Sequence, residues 1–173
     1  AARTGVEVEV FVHGALCASV SGQCLLSSMA GGRSGNRGRC AQPCRQTVTL
    51  NGASAAWLST RDLCLRDQLP QLEQAGVHSL KIEGRLKRPE YVAVVTQSYR
   101  RALDALQRGQ FQPADVAERE GLLQVFHRGG FTLGHALGAE DTDVCSATRV
   151  NHGGVPVGRV AALRGGLAVL RLD

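Results

Sequence analysis

The chain has 173 residues, 43% of them hydrophobic and 20% charged, with a formal net charge of +5. That length holds one ordinary domain or a domain with a small appendage, and the composition is globular, which excludes a disordered chain. No apolar run approaches the ~18 residues that cross a bilayer, so a membrane-spanning helix is excluded too. The opening residues alternate Val and Glu where a secretory signal would carry an apolar run, so a cytoplasmic location is expected. Both ends read as cut: Ala1 stands where a Met would, and Asp173 falls in a strand-like run, so a piece of a longer protein is expected.

Residues 6–12 (VEVEVFV) alternate and then turn fully apolar, as a strand does on entering a core, and His13-Gly14 is expected to end it. Residues 27–45 are rich in Gly, Ser and Arg without period, which predicts a long loop of the kind that is usually functional. Residues 47–50 and 55–58 are expected to pair around the turn dipeptide Asn51-Gly52. Ser59 or Thr60 is placed to cap a helix through 62–65, and Pro70 to begin another ending at Gly76. Residues 77–82 read as a buried strand and Glu83-Gly84-Arg85 as a turn. Pro89 then opens a helix in which Tyr91, Val94, Val95, Ser98, Tyr99, Ala102, Leu103 and Leu106 keep helical spacing up to Gly109. Strands alternating with helices predict a parallel α/β arrangement over residues 1–109. Beyond Gln110, glycine pairs punctuate short runs such as 155–163 and 167–172, predicting a linker and a small, incomplete all-β domain over 110–173.

Six cysteines in a chain without a secretory signal point to metal binding or catalysis before disulfides. Four are spaced Cys17-x6-Cys24-x15-Cys40-x3-Cys44. Four soft thiolates satisfy either tetrahedral zinc or an iron–sulfur cluster. A zinc ribbon uses two short C-x2-C pairs, whereas these gaps wrap a longer loop that suits a bulkier cluster. Gly22, Gly38 and Pro43 give three of the four turn-like surroundings. The competing reading is four free cysteines in a core. Cys64, on its expected amphipathic helix, reads as a core residue and is held as a reserve ligand, and Cys145 reads as incidental.

Arg33, Arg37, Arg39 and Arg45 stand in a stretch without an acid. A second basic cluster, Lys81, Arg85, Lys87 and Arg88, is diluted by Glu83 and Glu90. Such patches suit phosphate-bearing partners, because Arg and Lys displace condensed counterions; solvated surface is the equal alternative. The aromatics are scattered, so no base-stacking platform is legible. His13 is a candidate to orient substrate or move a proton, with a structural histidine as the alternative. Glu83 with Arg85 is a candidate to bind a small anion or an RNA phosphate, with a structural ion pair as the alternative. H-E-x-x-H and G-x-S-x-G are both absent, while a Cys/His pair such as His13 with Cys17 stays open.

The run EVEVFVHGALCASVSGQCLLSSMAGGRSGNRGRCAQPCR resembles the collagenase-like peptidase family of the U (unknown mechanism) class. STRDLCLRDQLPQLEQAGVHSLKIEGRLKRPEYVAVV and YRRALD continue the resemblance, which runs over about residues 6–104. The tail, VFHRGGFTLGHALG with VNHGGVPVGRV, resembles the C-terminal extension of large bacterial members and looks most like the rRNA-modifying branch. Asn151-His152 matches a family motif to which no mechanism attaches.

The resemblance implies a preceding N-terminal barrel portion, making this chain the C-terminal part of a barrel-like α/β domain with a Cys-rich loop. It also implies oxygen-independent hydroxylation, since members are implicated in modifying an rRNA cytidine, in prephenate-dependent modification of a tRNA wobble uridine, and in ubiquinone-ring hydroxylation. In the ubiquinone members four cysteines hold a [4Fe–4S] cluster, and Cys17, Cys24 and Cys40 fall on matching positions. The fourth ligand varies among relatives, between Cys44 and Cys64 here, and Cys44 is preferred because the C-x3-C pair recurs in one of them. The expected function is therefore an iron–sulfur-dependent rRNA or tRNA base hydroxylation protein. On this reading His13, Glu83 and Arg85 serve the chemistry, prephenate is a candidate co-substrate, and Arg33, Arg37, Arg39 and Arg45 face RNA. The alternatives are a peptidase and a zinc-stapled RNA-binding module.

Overall fold

In the computed structural model, residues 5–20, 23–138 and 144–172 are described. In chain order the elements begin with β1 (Glu9–Ala15), α1 (Leu26–Gly31), β2 (Val48–Leu50), β3 (Ala53–Ala55), β4 (Asp62–Cys64) and α2 (Leu69–Gln74). They continue with β5 (Ser79–Ile82), α3 (Pro89–Gln107), α4 (Val116–Val125), β6 (Phe131–Thr132), β7 (Gly158–Arg164) and β8 (Leu167–Leu172).

The central sheet has the order β5-β1-β4-β6 and, among the described residues, stays open at β5 and β6. β1 runs parallel to β5, with Val10 opposite Leu80, and antiparallel to β4, with His13 opposite Cys64. β6 then runs parallel to β4. The sheet is thus mixed where alternation of strands and helices predicted a parallel one. The chain between β1 and β4 returns through the cysteine loop and the β2–β3 hairpin, with no long crossover helix to turn β4 parallel.

His13-Gly14 does not end β1, which continues because His13, Gly14 and Ala15 pair with Cys64, Leu63 and Asp62. The register shifts between Phe11 and His13, and Gly14 takes φ +107 beside the Glu83 carbonyl, where a Cβ has no room. The helix expected over 62–65 is instead β4. Its pairing with β1 on one side and β6 on the other outweighs the local capping signal, and Cys64 sits on a strand.

The β2–β3 hairpin turns on Asn51 (φ 51) and Gly52 (φ 80), so the second strand begins two residues earlier than the sequence pattern indicates. The expected loop over 27–45 carries α1 and two single 3-10 turns, Gly35–Arg37 and Pro43–Arg45. The turn expected at Gly22 lies outside the described residues.

α3 buries Tyr91, Val95, Ser98, Tyr99 and Ala102, which lie on one helical stripe, against Val12, Leu63, Leu65, Leu69 and Leu72. A fully buried leucine such as Leu65 or Leu69 contributes ~1.5–3 kcal/mol to this core. The region beyond Gln110 is not all-β, because α4 begins there, capped by Asp115, whose Oδ1 accepts from the Glu118 N–H at 2.7 Å. Its Leu122 is buried in the same core, and β6 joins the central sheet. Beyond Gln110, among the described residues, β7 and β8 alone form a hairpin apart from the central sheet, and their apolar side chains, among them Leu163 and Leu167, are exposed. Among the described residues no helix is long and apolar enough to cross a membrane.

Candidate functional site

Two neighbourhoods meet at the far end of β1. The first is the cysteine loop. Among the described residues Cys17, Cys24, Cys40, Cys44, Cys64 and Cys145 are all free thiols. Burial pushes the Cys44 thiol up, Arg45 pulls it down, and Cys17 and Cys40 push it further up, so three of the expected ligands share one electrostatic neighbourhood. The Gln42 N–H donates to Cys40 Sγ at 3.3 Å. Cys24 is exposed and is not among the groups acting on Cys44. No three His, Cys, Asp or Glu side chains among the described residues stand in metal-holding geometry. In donor chemistry the set fits a thiolate-held centre; the four sulfurs are not gathered at one point.

Cys64 lies elsewhere, opposite His13, with Tyr99, Arg66, Asp67 and Arg119 acting on it, and burial pushes its thiol up. Cys145 is exposed, and its backbone bridges to Thr60.

Of the loop arginines, Arg33, Arg37 and Arg39 are exposed, and Arg33 Nε donates to the Arg39 carbonyl at 2.9 Å. Arg45 faces inward. It donates to the Leu16 carbonyl at 2.6 Å, to the Thr60 carbonyl, and to Ser59 Oγ at 3.3 Å, clamping the loop onto the segment ahead of β4. Arg85 is exposed and donates to the Gly38 carbonyl, tying the end of β5 to the cysteine loop. The Glu83 carboxylate accepts from the Arg85 backbone N–H at 3.0 Å, so the two side chains do not form the ion pair the sequence offered.

The second neighbourhood surrounds His13, which is 1% exposed and ringed by Tyr91, Tyr99 and Phe131 at 5.9, 5.6 and 5.3 Å between ring centroids. Tyr99 Oη donates to the Val12 carbonyl at 2.7 Å, so in its 3.4 Å contact with His13 Nδ1 the imidazole is the donor. That leaves Nε2 as a bare acceptor, and it has no hydrogen-bond partner. Burial, with a smaller contribution from the charge of Lys87, pulls the imidazole down to about 4, so it is neutral at physiological pH.

Three residues here were not singled out from the sequence. Asp62 of β4 accepts from Arg128 Nη1 at 3.0 Å and from the Arg128 N–H at 2.8 Å. Burial pushes its carboxyl up, while Arg128, Lys87 and Arg45 pull it down. Half-buried Lys87 rests on the rings of Phe126 and Tyr91, and burial, then Arg128, bring its ammonium down to about 8. Asp62 was hidden by the expected helix, Lys87 by the surrounding basic cluster, and Arg128 by a glycine-rich stretch. A charged residue next to Gly129-Gly130, at the end of an apolar run, was the available signal.

A family model described as peptidase family U32 matches residues 1–145. The chain is 37% identical over 171 residues to the 23S rRNA 5-hydroxycytidine C2501 synthase of Escherichia coli (strain K12), covering 91% of this chain and 26% of that protein. It is 38% identical over 144 residues to a collagenase of Porphyromonas gingivalis, covering 77% and 40% respectively. It is 40% identical over 116 residues to the tRNA hydroxylation protein P1 of Bacillus subtilis (strain 168), covering 60% and 28%. The chain thus spans between 26% and 40% of the length of these three relatives. No solved structure matches it. With its cysteine loop, its central sheet and α3 all inside the matched span, the chain belongs to peptidase family U32.

Proposed function

We propose that this chain is the thiolate-bearing segment of an iron–sulfur-dependent protein that hydroxylates an rRNA or tRNA base. The observation that carries the reading is the grouping of Cys17, Cys40 and the inward-facing Arg45 around Cys44, beside a run of exposed arginines. The naming of the relatives for rRNA and tRNA hydroxylation agrees with it.

Cys17, Cys40 and Cys44 would hold the cluster, with Cys24 brought in by the loop as the fourth ligand. The bound cluster supplies one-electron chemistry to the site. Arg45 offsets thiolate charge from within the loop, and the Gln42 N–H supports the Cys40 sulfur. Arg33, Arg37 and Arg39 pair with RNA phosphates at the surface. His13 offers a neutral acceptor at the end of the sheet, and a carboxylate co-substrate such as prephenate belongs at the cationic face beside it.

The collagenase name of one relative favours a peptidase as the second reading. A cysteine peptidase joins its thiol to an imidazole by a hydrogen bond. Among the described residues, the imidazole of His13 hydrogen-bonds to Tyr99 and to no thiol.

The test is anaerobic purification of the full-length parent, with an absorption spectrum and iron and sulfide analysis. A broad band near ~410 nm, with iron lost in Cys17→Ala, Cys40→Ala and Cys44→Ala but kept in Cys145→Ala, supports the proposal. Stoichiometric zinc, or a colourless protein that cleaves collagen, overturns it.

A further inference from the structure

Residues 144–172 carry four arginines and no Asp or Glu. Three of the four, Arg159, Arg164 and Arg171, stand on the β7–β8 ribbon, and all three are exposed. A two-residue turn, Gly165-Gly166 with φ +54 and +78, fixes the register of the two strands. Residues directly opposite each other in an antiparallel pair share a face, and alternate pairs along a strand return to it. Arg171, Val169 and Leu167 of β8 stand opposite Arg159, Ala162 and Arg164 of β7, so every arginine of the ribbon lies on one face. The other face carries Val160, Leu163, Ala168, Leu170 and Leu172 and is apolar.

Like charges directly opposite each other destabilise a strand pair, and Arg159 with Arg171 is such a pair. Among the described residues none of the three guanidiniums makes an ion pair. An anion laid across Arg159 and Arg171 removes their repulsion. Arg164 sets the length of that anion. Its partner Leu167 lies four residues along β8 from Arg171, so the cations occupy two places ~14 Å apart. A small anion reaches one of them, whereas a polynucleotide duplex, with a charge roughly every 3 Å of axis on each strand, reaches both. No aromatic side chain stands on the ribbon, so the contact goes to phosphates and not to stacked bases. A lipid surface does not account for the pattern: with the apolar face in a bilayer, the arginines would face water on the opposite side of the ribbon.

We infer that the arginine face of the β7–β8 ribbon is a second RNA-docking surface, which grips the phosphate backbone whatever the base sequence. Its part is affinity and placement of the polynucleotide, not recognition of the base that is modified. The choice of RNA among polyanions rests on the function proposed above, while the site itself stands on the register and charge of the ribbon.

The experiment is a salt titration of binding by the full-length parent, with an RNA stem–loop and with phosphatidylserine vesicles as probes. The triple variant Arg159→Gln, Arg164→Gln, Arg171→Gln, checked to melt with the parent, is expected to bind RNA roughly tenfold more weakly at ~0.1 M salt. Its log–log dependence on salt is expected to be shallower by about two, the share of three phosphate contacts. The triple variant Arg159→Lys, Arg164→Lys, Arg171→Lys keeps the charge and is expected to keep the salt dependence. Unchanged affinity and slope in the first variant, with binding lost in Arg33→Gln, Arg37→Gln, Arg39→Gln, overturns the ribbon as a docking surface and leaves the RNA reading in place. Absence of saturable RNA binding by the parent overturns that reading, and this inference with it. Vesicle binding that depends on the three ribbon arginines, with RNA binding that does not, assigns the face to a membrane and overturns the inference too.

Discussion

Arg128 Nη1 stands 3.0 Å from Asp62 Oδ1, with the two side chains 7% and 1% exposed, and so joins the chain after α4 to β4. Taking away one member of a buried pair leaves the other charged and desolvated, which costs ~3–5 kcal/mol, whereas replacing both by apolar residues is often neutral. Arg128→Met is expected to destabilise the chain by roughly that amount, and the double replacement Asp62→Leu with Arg128→Met by much less. Chemical denaturation of the single and double variants reads this directly. A loss below about 1 kcal/mol in the single variant would mean that water reaches Asp62.

His13 makes stability depend on acid. Its imidazole sits at about 4 in the folded chain against an ordinary value of 6.5, so the folded state binds fewer protons than the unfolded state between those values. The stability it contributes is complete above pH 6.5 and is lost as pH falls toward 4, by up to ~3 kcal/mol. His13→Phe keeps the ring packing and removes the titration, so its stability profile should be flatter in that window. Equal slopes in parent and variant would place the imidazole in water.

β1, the β2–β3 hairpin, β5 and α3 were legible because their signals are local. α3 is the clearest case: Pro89 opens it, and the apolar stripe from Tyr91 to Ala102 faces the sheet as the 3.6-residue period requires. Residues 62–65 went the other way, because Ser59, Thr60 and Asp62 look like a helix start until β1 and β6 claim Asp62 and Leu63 by pairing. α4 was missed because Gly121 and the neighbouring glycine pairs masked a helix whose main signal is the Asp115 cap. The cysteine spacing was visible; Cys17 and Cys40 act on Cys44 while Cys24 is not among the groups that do. The inward turn of Arg45 was not visible, since nothing local shows that it meets the Leu16 and Thr60 carbonyls.

Gly153 is held open by a ring. A Cβ there would stand 2.6 Å from His127 Cε1 and 3.0 Å from Nε2. That imidazole does not move freely, because Nδ1 accepts from the Gly130 N–H and Nε2 donates to the Gly154 carbonyl, both at 2.8 Å. Gly153→Ala should therefore destabilise by ~1–3 kcal/mol, the usual cost of overpacking. Combining it with His127→Ala should recover part of the loss, and thermal melts of the three variants measure the coupling. Strict additivity would show that the two sites do not touch.

Arg45 separates the structural role of the cysteine loop from its proposed role in holding a cluster. Its guanidinium bridges the carbonyls of Leu16, next to Cys17, and Thr60, so Arg45→Met leaves partly buried acceptors with fewer donors. Leu16 keeps one bond, from Thr60 Oγ1 at 2.6 Å, which limits the damage. A loss of ~1–3 kcal/mol is expected for the metal-free chain. In the anaerobically prepared full-length parent the same change removes a positive charge beside the thiolates without removing a ligand, so iron content should persist while the cluster's reduction potential falls. Cys44→Ala is expected to behave oppositely, losing iron while leaving the metal-free fold nearly intact, because the hydrogen bond that acts on its thiol comes from its own backbone and ties it to no other part of the loop. Iron analysis, redox titration and denaturation of both variants give that crossed pattern. If Arg45→Met also loses its iron while the metal-free fold stays stable, the guanidinium holds the cluster itself, and the clamp between Leu16 and Thr60 is incidental.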